Sequence, residues 1–246
     1  MKSIKFLILI FFVTCFTVDA QVTTTHGALK LVHARATQTR ERVGVRILEP
    51  QEEQVLQNPN VTVRFTLENW EPEKDGKHMH VILDNEPPQE HFTKEALLFQ
   101  NVAPGAHVVR IFPVYGWHES VKQENAIAIV QFYIGEKRPL PLDLNQPMMV
   151  YNTPSGNHAS AEMLPGQPFP GILIDWFLYK VSMGTRTGYF VRISVDGQAL
   201  TSMKEWRPHY IQGLARGEHE IKLELLRNGV PVSQNWSVVE RTIRVL

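Results

Sequence analysis

The sequence predicts an all-β protein: two tandem β-sandwiches joined by a proline-rich linker, behind an N-terminal signal peptide. Three observations carry the expectation. Apolar and polar residues alternate with a period of two through most of the chain, the pattern of half-buried strands. Turn-forming residues punctuate that alternation at short intervals. One long pattern occurs twice: residues 76–114 contain HMHVILDN and VAPGAHVVRIF, and residues 187–226 contain FVRISVDG and LARGEHEIKLEL. Asp84 answers Asp196, Gly105 answers Gly217 and His107 answers His219, all at one interval. At 246 residues the chain has room for two small domains.

Residues 1–20 have the order of an export signal. Lys2 and Lys5 precede a short apolar run, and Val18-Asp19-Ala20 supplies the cleavage positions. The run is too short to span a bilayer as a folded helix, so no transmembrane segment is expected in the mature chain. That chain is expected to start at Gln21 and to reside in the periplasm or the medium. Cys15, the only cysteine, lies inside the signal. Phe12-Val13-Thr14 before it fits a lipid-attachment box poorly, so cleavage at Ala20 is expected instead of a lipid anchor. Without Cys15 there is no disulfide and no thiolate chemistry. The net charge of zero gives nucleic acid no electrostatic footprint. Asn60-Val61-Thr62 and Asn235-Trp236-Ser237 match the glycosylation tripeptide, which matters only on a eukaryotic secretory route.

Residues 21–42 are Thr-rich, then basic, without a strong apolar stripe. They read as a flexible segment, a tether or a loosely docked arm that could form a helical turn or two. A first sandwich is expected over 43–135. Val43, Val45 and Ile47 alternate up to Pro50, and Val61, Val63, Phe65 and Leu67 form the next strand. Met79, Val81 and Leu83 form a third, stopped by Asp84-Asn85 and Pro87-Pro88, and strands at 97–99, 107–114 and 127–134 complete the unit. Residues 136–147 contain Pro139, Pro141 and Pro147 and read as a stiff linker. The second sandwich, 148–246, repeats the plan: Met149 and Tyr151 lead to Pro154 as Val45 and Ile47 lead to Pro50. Strands follow at 172–181, 189–195, 221–225 and 242–245, with a hairpin turn at Asn228-Gly229.

About seven short strands in roughly 95 residues describe an immunoglobulin-like or fibronectin III-like sandwich. The chain resembles exported bacterial proteins with tandem Ig-like domains. The first unit carries the resemblance in HMHVILDN, VAPGAH and WHESVK, the second in VRISVDG, LARGEH and EWRPHYIQGL. The resemblance implies a fold and an export route and brings no activity or catalytic residue with it.

Candidate chemistry concentrates in the first unit, at His78, Met79, His80, His91, His107 and His118. Strand parity divides them. Val81 and Leu83 face the core, so Met79 does too, and His78 and His80 point outward together. A Cu or Zn site would use His78 and His80, with His118 joining them or Met79 contributing, and two imidazoles bind weakly without a third ligand. His107 and His219 follow the same Gly in both repeats and read as turn residues whose rings bond loop backbone. Trp70, Trp117 and Trp206 lie in loop-like positions where rings can stack on sugars or cap the sandwich ends. His118-Glu119-Ser120 has the letters of a nucleophilic triad, but adjacent residues do not face one another in one. No Gly-x-Ser-x-Gly or His-Glu-x-x-His occurs, so neither an enzyme nor a cofactor is expected.

The repeats differ on one face. The outward positions of the sheet in the second unit are Arg192, Ser194, Glu220, Lys222, Glu224 and Arg244, an ordinary solvated set. In the first they are His78, His80, Ile82, Val108, Arg110, Phe112, Ile129, Gln131 and Tyr133. A face this apolar requires a cover: the second domain, the N-terminal arm, a ligand or a partner. The functional expectation is a non-enzymatic exported binding or scaffold protein. Another envelope protein would dock on His80, Ile82, Val108, Arg110, Phe112, Ile129 and Tyr133. The alternatives are a periplasmic copper-binding protein and a carbohydrate-binding module.

Overall fold

The computed structural model describes residues 21–26 (backbone) and 29–246. The expected export signal, Cys15 included, lies outside them. The chain begins with a hairpin, β1 (Gln21–His26) and β2 (Leu29–His33). Eight strands follow: β3 (Gly44–Glu49), β4 (Gln54–Leu56), β5 (Val61–Glu68), β6 (His78–Leu83), β7 (Gln89–His91), β8 (Leu97–Phe99), β9 (Gly105–Val114) and β10 (Ala128–Ile134). The remainder forms β11 (Met148–Thr153), β12 (Gly156–His158), β13 (Ile172–Tyr179), β14 (Tyr189–Val195), β15 (Gln198–Met203), β16 (His209–Gln212), β17 (Gly217–Arg227), β18 (Val230–Pro231) and β19 (Val238–Val245). All regular structure among the described residues is strand, and no helix is long and apolar enough to cross a membrane.

The first sandwich packs the sheet β3-β5-β8 on β4-β10-β9-β6-β7. The second packs β1-β2-β16-β13-β11 on β12-β19-β17-β14-β15. The repeat seen in the sequence is a repeat of topology: β4 runs parallel to β10, and β12 runs parallel to β19. Strand β5 shows why these residues form a sandwich. Val61, Val63 and Phe65 are buried and Arg64 is exposed, the alternation of a strand with one dry face. Met79, Val81, Val109 and Ile111 fill the same first core. Trp176, Tyr151, Ile193 and Leu223 belong to the second.

The amino-terminal segment corrects the expectation of a flexible arm or helical turn. Strand β2 pairs antiparallel with β16, so the chain's first hairpin extends a sheet of the second sandwich. Leu31 enters that core. The loose reading failed because the strand's edge partner lies far along the sequence, where local periodicity does not reach. The chain then crosses to the first sandwich: Thr37 donates to Glu119 from its backbone nitrogen (2.7 Å) and its hydroxyl (2.8 Å), and the Gln123 side chain binds residues 41 and 43. The two sandwiches are thus connected by this strap as well as by the linker.

The docking face proposed for an external partner is also corrected. His80, Ile82, Val108, Arg110, Phe112 and Tyr133 are buried, and Ile129 is partly so. The cover is the chain itself. Strands β11 and β13 bury both faces, sending Tyr151 and Trp176 into their own core and Val150 and Phe177 onto the first sandwich. Phe112 meets Phe177 at 5.5 Å between ring centroids, and Arg110 lies over Trp236. Leu142 of the linker packs on Val108, and its amide donates to Gln131. Burying large apolar side chains removes area worth roughly 25 cal/mol per Å² from water, which is why these residues face the second sandwich.

Candidate metal centre

The interface is not wholly apolar. At one end β6 presents His78 and His80 on the face opposite Met79, as their parity requires. Met79 lies in the core and is no ligand, which corrects the sequence alternative that used it. Strand β7 runs beside β6 and places Glu90 directly opposite His80. His118 arrives from the turn after β9, closed by the His118 amide donating to the Tyr115 carbonyl. Its backbone has φ 67°, a left-handed conformation that residues other than glycine seldom adopt. That turn brings the His118 ring against both neighbours, at 5.2 Å from His78 and 5.4 Å from His80.

One potential ligand atom from each of His78, His80, Glu90 and His118 lies within 4.8 Å of the others. The hydrogen bonds fix which nitrogens of His78 and His80 carry lone pairs. His78 Nδ1 sits 2.8 Å from the Gly76 carbonyl, which can only accept, so Nδ1 carries the proton and Nε2 the lone pair. That Nε2 is buried and has no partner among the described residues. His80 Nδ1 sits 2.5 Å from Asn152 Oδ1. The Asn152 amide nitrogen faces two acceptors, the His118 carbonyl at 2.8 Å and Asp175 Oδ2 at 2.9 Å, so its oxygen receives the His80 proton. His80 Nε2 is then also a lone pair and accepts from His118 Nδ1 at 3.2 Å, a proton that His118 must shift or release to join as a ligand. Tetrahedral bonds of about 2.0–2.1 Å put ligand nitrogens about 3.3–3.4 Å apart, the spacing this pair already has. Glu90 Oε1 stands 3.9 Å from His118 Nδ1.

Electrostatics favour ligands over cations here. Burial holds the His80 imidazole well below its ordinary range, and charge on His118 or His78 would lower it further. Burial also lowers His78, against a smaller opposing pull from the Gly76 carbonyl, and it lowers His118. Neutral imidazoles are the form that binds a metal, and outer hydrogen bonds such as those on Nδ1 of His78 and His80 fix both tautomer and ring direction.

The anchor for His80 belongs to a buried network between the sandwiches. Asp175 Oδ2 accepts from Asn152, from the Ser120 amide (3.0 Å) and from the Ser120 hydroxyl (2.6 Å), and Asp175 Oδ1 pairs with Lys122. Beside the cluster a cleft of about 210 Å³ opens between the sandwiches, with His80, His118 and Glu90 on one side and Asn152, His158 and Glu162 on the other.

Sequence reasoning named His78, His80 and His118, and the structure brings all three together. It did not name Glu90 or Asn152. Glu90 was legible in principle, since a hairpin through Pro87-Pro88 puts it across from His80. Asn152 had no local signal. His107 and His219 lie elsewhere, each in a clasp of its own turn. His107 Nδ1 meets Asp84 at 2.8 Å and Nε2 the Ala103 carbonyl at 2.7 Å; His219 meets Asp196 at 2.7 Å and the Ala215 carbonyl at 2.9 Å. The tryptophans do not form an exposed sugar platform. Trp70 is buried against Tyr115, with Nε1 toward the His78 carbonyl. Trp206 is half-buried against both cores and donates to the Trp176 carbonyl. Trp117 stacks on Tyr115 and donates to Glu119, and it lines the cleft.

No family model and no curated protein matches the chain. Among solved structures it is similar to fibronectin(III)-like modules of Clostridium thermocellum CbhA, with 13% identity over 82% of this chain and 93% of that one at a TM-score of 0.29. It is also similar to Bacteroides ovatus SGBP-B of a mixed-linkage glucan utilization locus, in complex with a heptasaccharide (12% identity, 82% and 70% coverage, TM-score 0.24). A third likeness is to three N-terminal domains of the bacteriophage RB49 Hoc protein (13% identity, 88% and 78% coverage, TM-score 0.24).

Proposed function

We propose that the chain is an exported, non-catalytic binding protein whose ligand is a transition-metal ion. His78 Nε2, His80 Nε2 and His118 Nδ1 hold the ion, and Glu90 is able to close on it. One observation carries the reading: the buried Nε2 of His78 has no partner among the described residues, in a ring whose ligand atom gathers within 4.8 Å of two further imidazoles and a carboxylate. An unpaired buried polar atom costs about 1–3 kcal/mol, and a cation removes that cost. Nitrogen donors with one carboxylate suit Zn(II) or Cu(II), while a hard cation such as Ca(II) prefers an all-oxygen set. The protein's place is the periplasm or the medium, as its signal-like start implies.

Calorimetry and metal analysis of the chain from Gln21 test this. One Zn(II) or Cu(II) per chain is expected, lost in the His78→Ala, His80→Ala double variant. Asn152→Ala should weaken binding by about 10–100-fold while leaving all four ligands in place. A folded wild type that takes up no stoichiometric ion would refute the proposal.

A further inference from the structure

The proposed centre has a dry side and a wet side. His78 and His80 are buried, with Phe92 stacked on His78 at 4.6 Å and Phe112 edge-on to His80. His118 and Glu90 are partly exposed and face the cleft. The ligands differ in how they are held. Both buried imidazoles are anchored through Nδ1, whereas Glu90 is nearly half exposed at 47% and comes no nearer than 3.9 Å to His118 Nδ1. A position filled by an unanchored, solvated carboxylate is one an incoming donor can take, and open positions mark metal sites that accept ligands.

The cleft in front of that position has two unlike walls. Trp117 and Leu164 give an aromatic and aliphatic surface; Thr153, Asn157, His158 and Glu162 give hydroxyl, amide and carboxylate groups. His158 holds Glu162 in place through Nδ1 at 2.8 Å. The two carboxylates that face the cleft, Glu90 and Glu162, together offset the charge of a divalent ion. An uncharged oxygen donor therefore completes the site without leaving a net charge, whereas an anion leaves one. Hydroxyls bound to a cation donate strongly to nearby carboxylates, and an apolar ring face packs against Trp117.

Resting on the metal reading, we propose that the ion presents an exchangeable position to this cleft. Its ligand is a small uncharged polyhydroxylated molecule of monosaccharide size, one hydroxyl on the ion and others on Glu162 and the polar wall.

The test uses the chain from Gln21, metal-free and loaded with Zn(II), titrated with glucose, galactose and mannose and, separately, with acetate and azide. Protein-observed NMR reports binding. Saturable, ion-dependent shifts at the cleft with at least one sugar are expected, and they should vanish in Asn157→Trp, which blocks the mouth and leaves ion uptake intact. Sugar binding that is equal without the ion, or that survives in Asn157→Trp, overturns the proposal. If only acetate or azide shifts the loaded protein, the ligand class is wrong; if nothing does, the position is closed. Failure of wild type to take up Zn(II) in the same calorimetry removes the metal reading itself, a separate outcome from these.

Discussion

Two faces of one fold have opposite fates in this molecule. Strands β6 and β9 of the first sandwich correspond to β14 and β17 of the second. At matching positions His80 stands against Arg192, Ile82 against Ser194, Val108 against Glu220, Arg110 against Lys222 and Phe112 against Glu224. The second set makes a polar face on which Arg192 and Glu224 form a bidentate pair at 2.6 and 2.8 Å. The first set is buried under β11 and β13. The cores and turns are shared, so the exchange of a few outward side chains is enough to turn a polar sheet face, itself buried at Ser194 and Glu224, into an interdomain seam. That seam also supplies the dry setting in which unprotonated imidazoles can gather.

The largest expected effect tests the seam's apolar part. Phe112→Ala should cost about 3–5 kcal/mol, because it empties a filled site between two rigid sheets. The matching change Glu224→Ala breaks a bidentate pair whose carboxylate is buried but whose guanidinium is a third exposed, and should cost less, about 1.5–3 kcal/mol. Denaturant titration of both variants gives the comparison. Equal losses would mean that the two faces are energetically alike and that the seam is loosely packed.

The seam's polar part should come close behind. Lys122 and Asp175 are both buried, and the ammonium has three acceptors: Asp175, Ser120 Oγ at 2.7 Å and the Trp176 carbonyl at 3.1 Å. Lys122→Met leaves the Asp175 carboxylate without its counter-charge, a change worth about 3–5 kcal/mol. Because the pair joins the sandwiches, limited proteolysis of residues 136–147 should accelerate in this variant. Unchanged cleavage would show that the linker and strap hold the docking without it.

Acid separates the two kinds of histidine. Burial depresses His78, His80 and His118, and it pushes His209 down to about 3, with His33 next in order of effect. A histidine whose folded pKa is depressed binds fewer protons folded than unfolded. Its stabilisation is complete above the ordinary value of 6.5 and is lost as pH falls below it toward the folded pKa. For His209 alone the loss at pH 5 is about 2 kcal/mol. Melting temperature should therefore fall between pH 6.5 and pH 5, whereas a bound metal, which competes with protons only at the depressed folded-state values, should be released at lower pH than from free imidazole. Melting that stays flat over that interval would contradict the burial of these rings.

Much of this was legible in the sequence, for reasons that explain what was not. Alternation placed Met79 and Val81 inside and His78 and His80 outside, because side-chain direction along a strand depends only on parity. The repeat exposed the odd face around Phe112, because two copies of a fold share a core and need not share a surface. The sequence left the cover open among the second domain, the N-terminal arm, a ligand and an external partner, and the second sandwich with the linker occupies the face. The β2 hairpin and Asn152 escaped for one physical reason: each acts through a partner distant in the chain, β16 for the one and His80 for the other. Pairing between distant segments leaves no period in the local sequence.

The smallest effect is the finest test of the comparison, because it concerns a feature the two units share. Asp84 and Asp196 both have left-handed backbones, φ 52° and 50°, and each carboxylate accepts from a backbone amide as well as from its histidine, Val108 at 2.9 Å and Glu220 at 2.8 Å. The clasps are alike in bonding and differ in setting. His107 is buried, its ring tilted against Phe132 at 5.6 Å, with its Asp84 partner a third exposed; Asp196 is half exposed. The Asp84 bond raises the His107 pKa against a smaller burial cost. At His219 burial is the largest single influence and acts downward, but the Asp196 bond, the Ala215 carbonyl and the Asp196 charge together outweigh it. Both rings therefore stabilise the fold fully below pH 6.5 and lose that contribution as pH rises through their raised values, opposite to the seam histidines. His107→Ala should cost about 1–3 kcal/mol, the range for a buried polar partner lost, and His219→Ala no more than about 1 kcal/mol, as for an exposed pair. Each difference from wild type should shrink when measured at pH 9. A larger loss at His219 than at His107 would show that turn geometry, and not burial, sets the strength of the clasp.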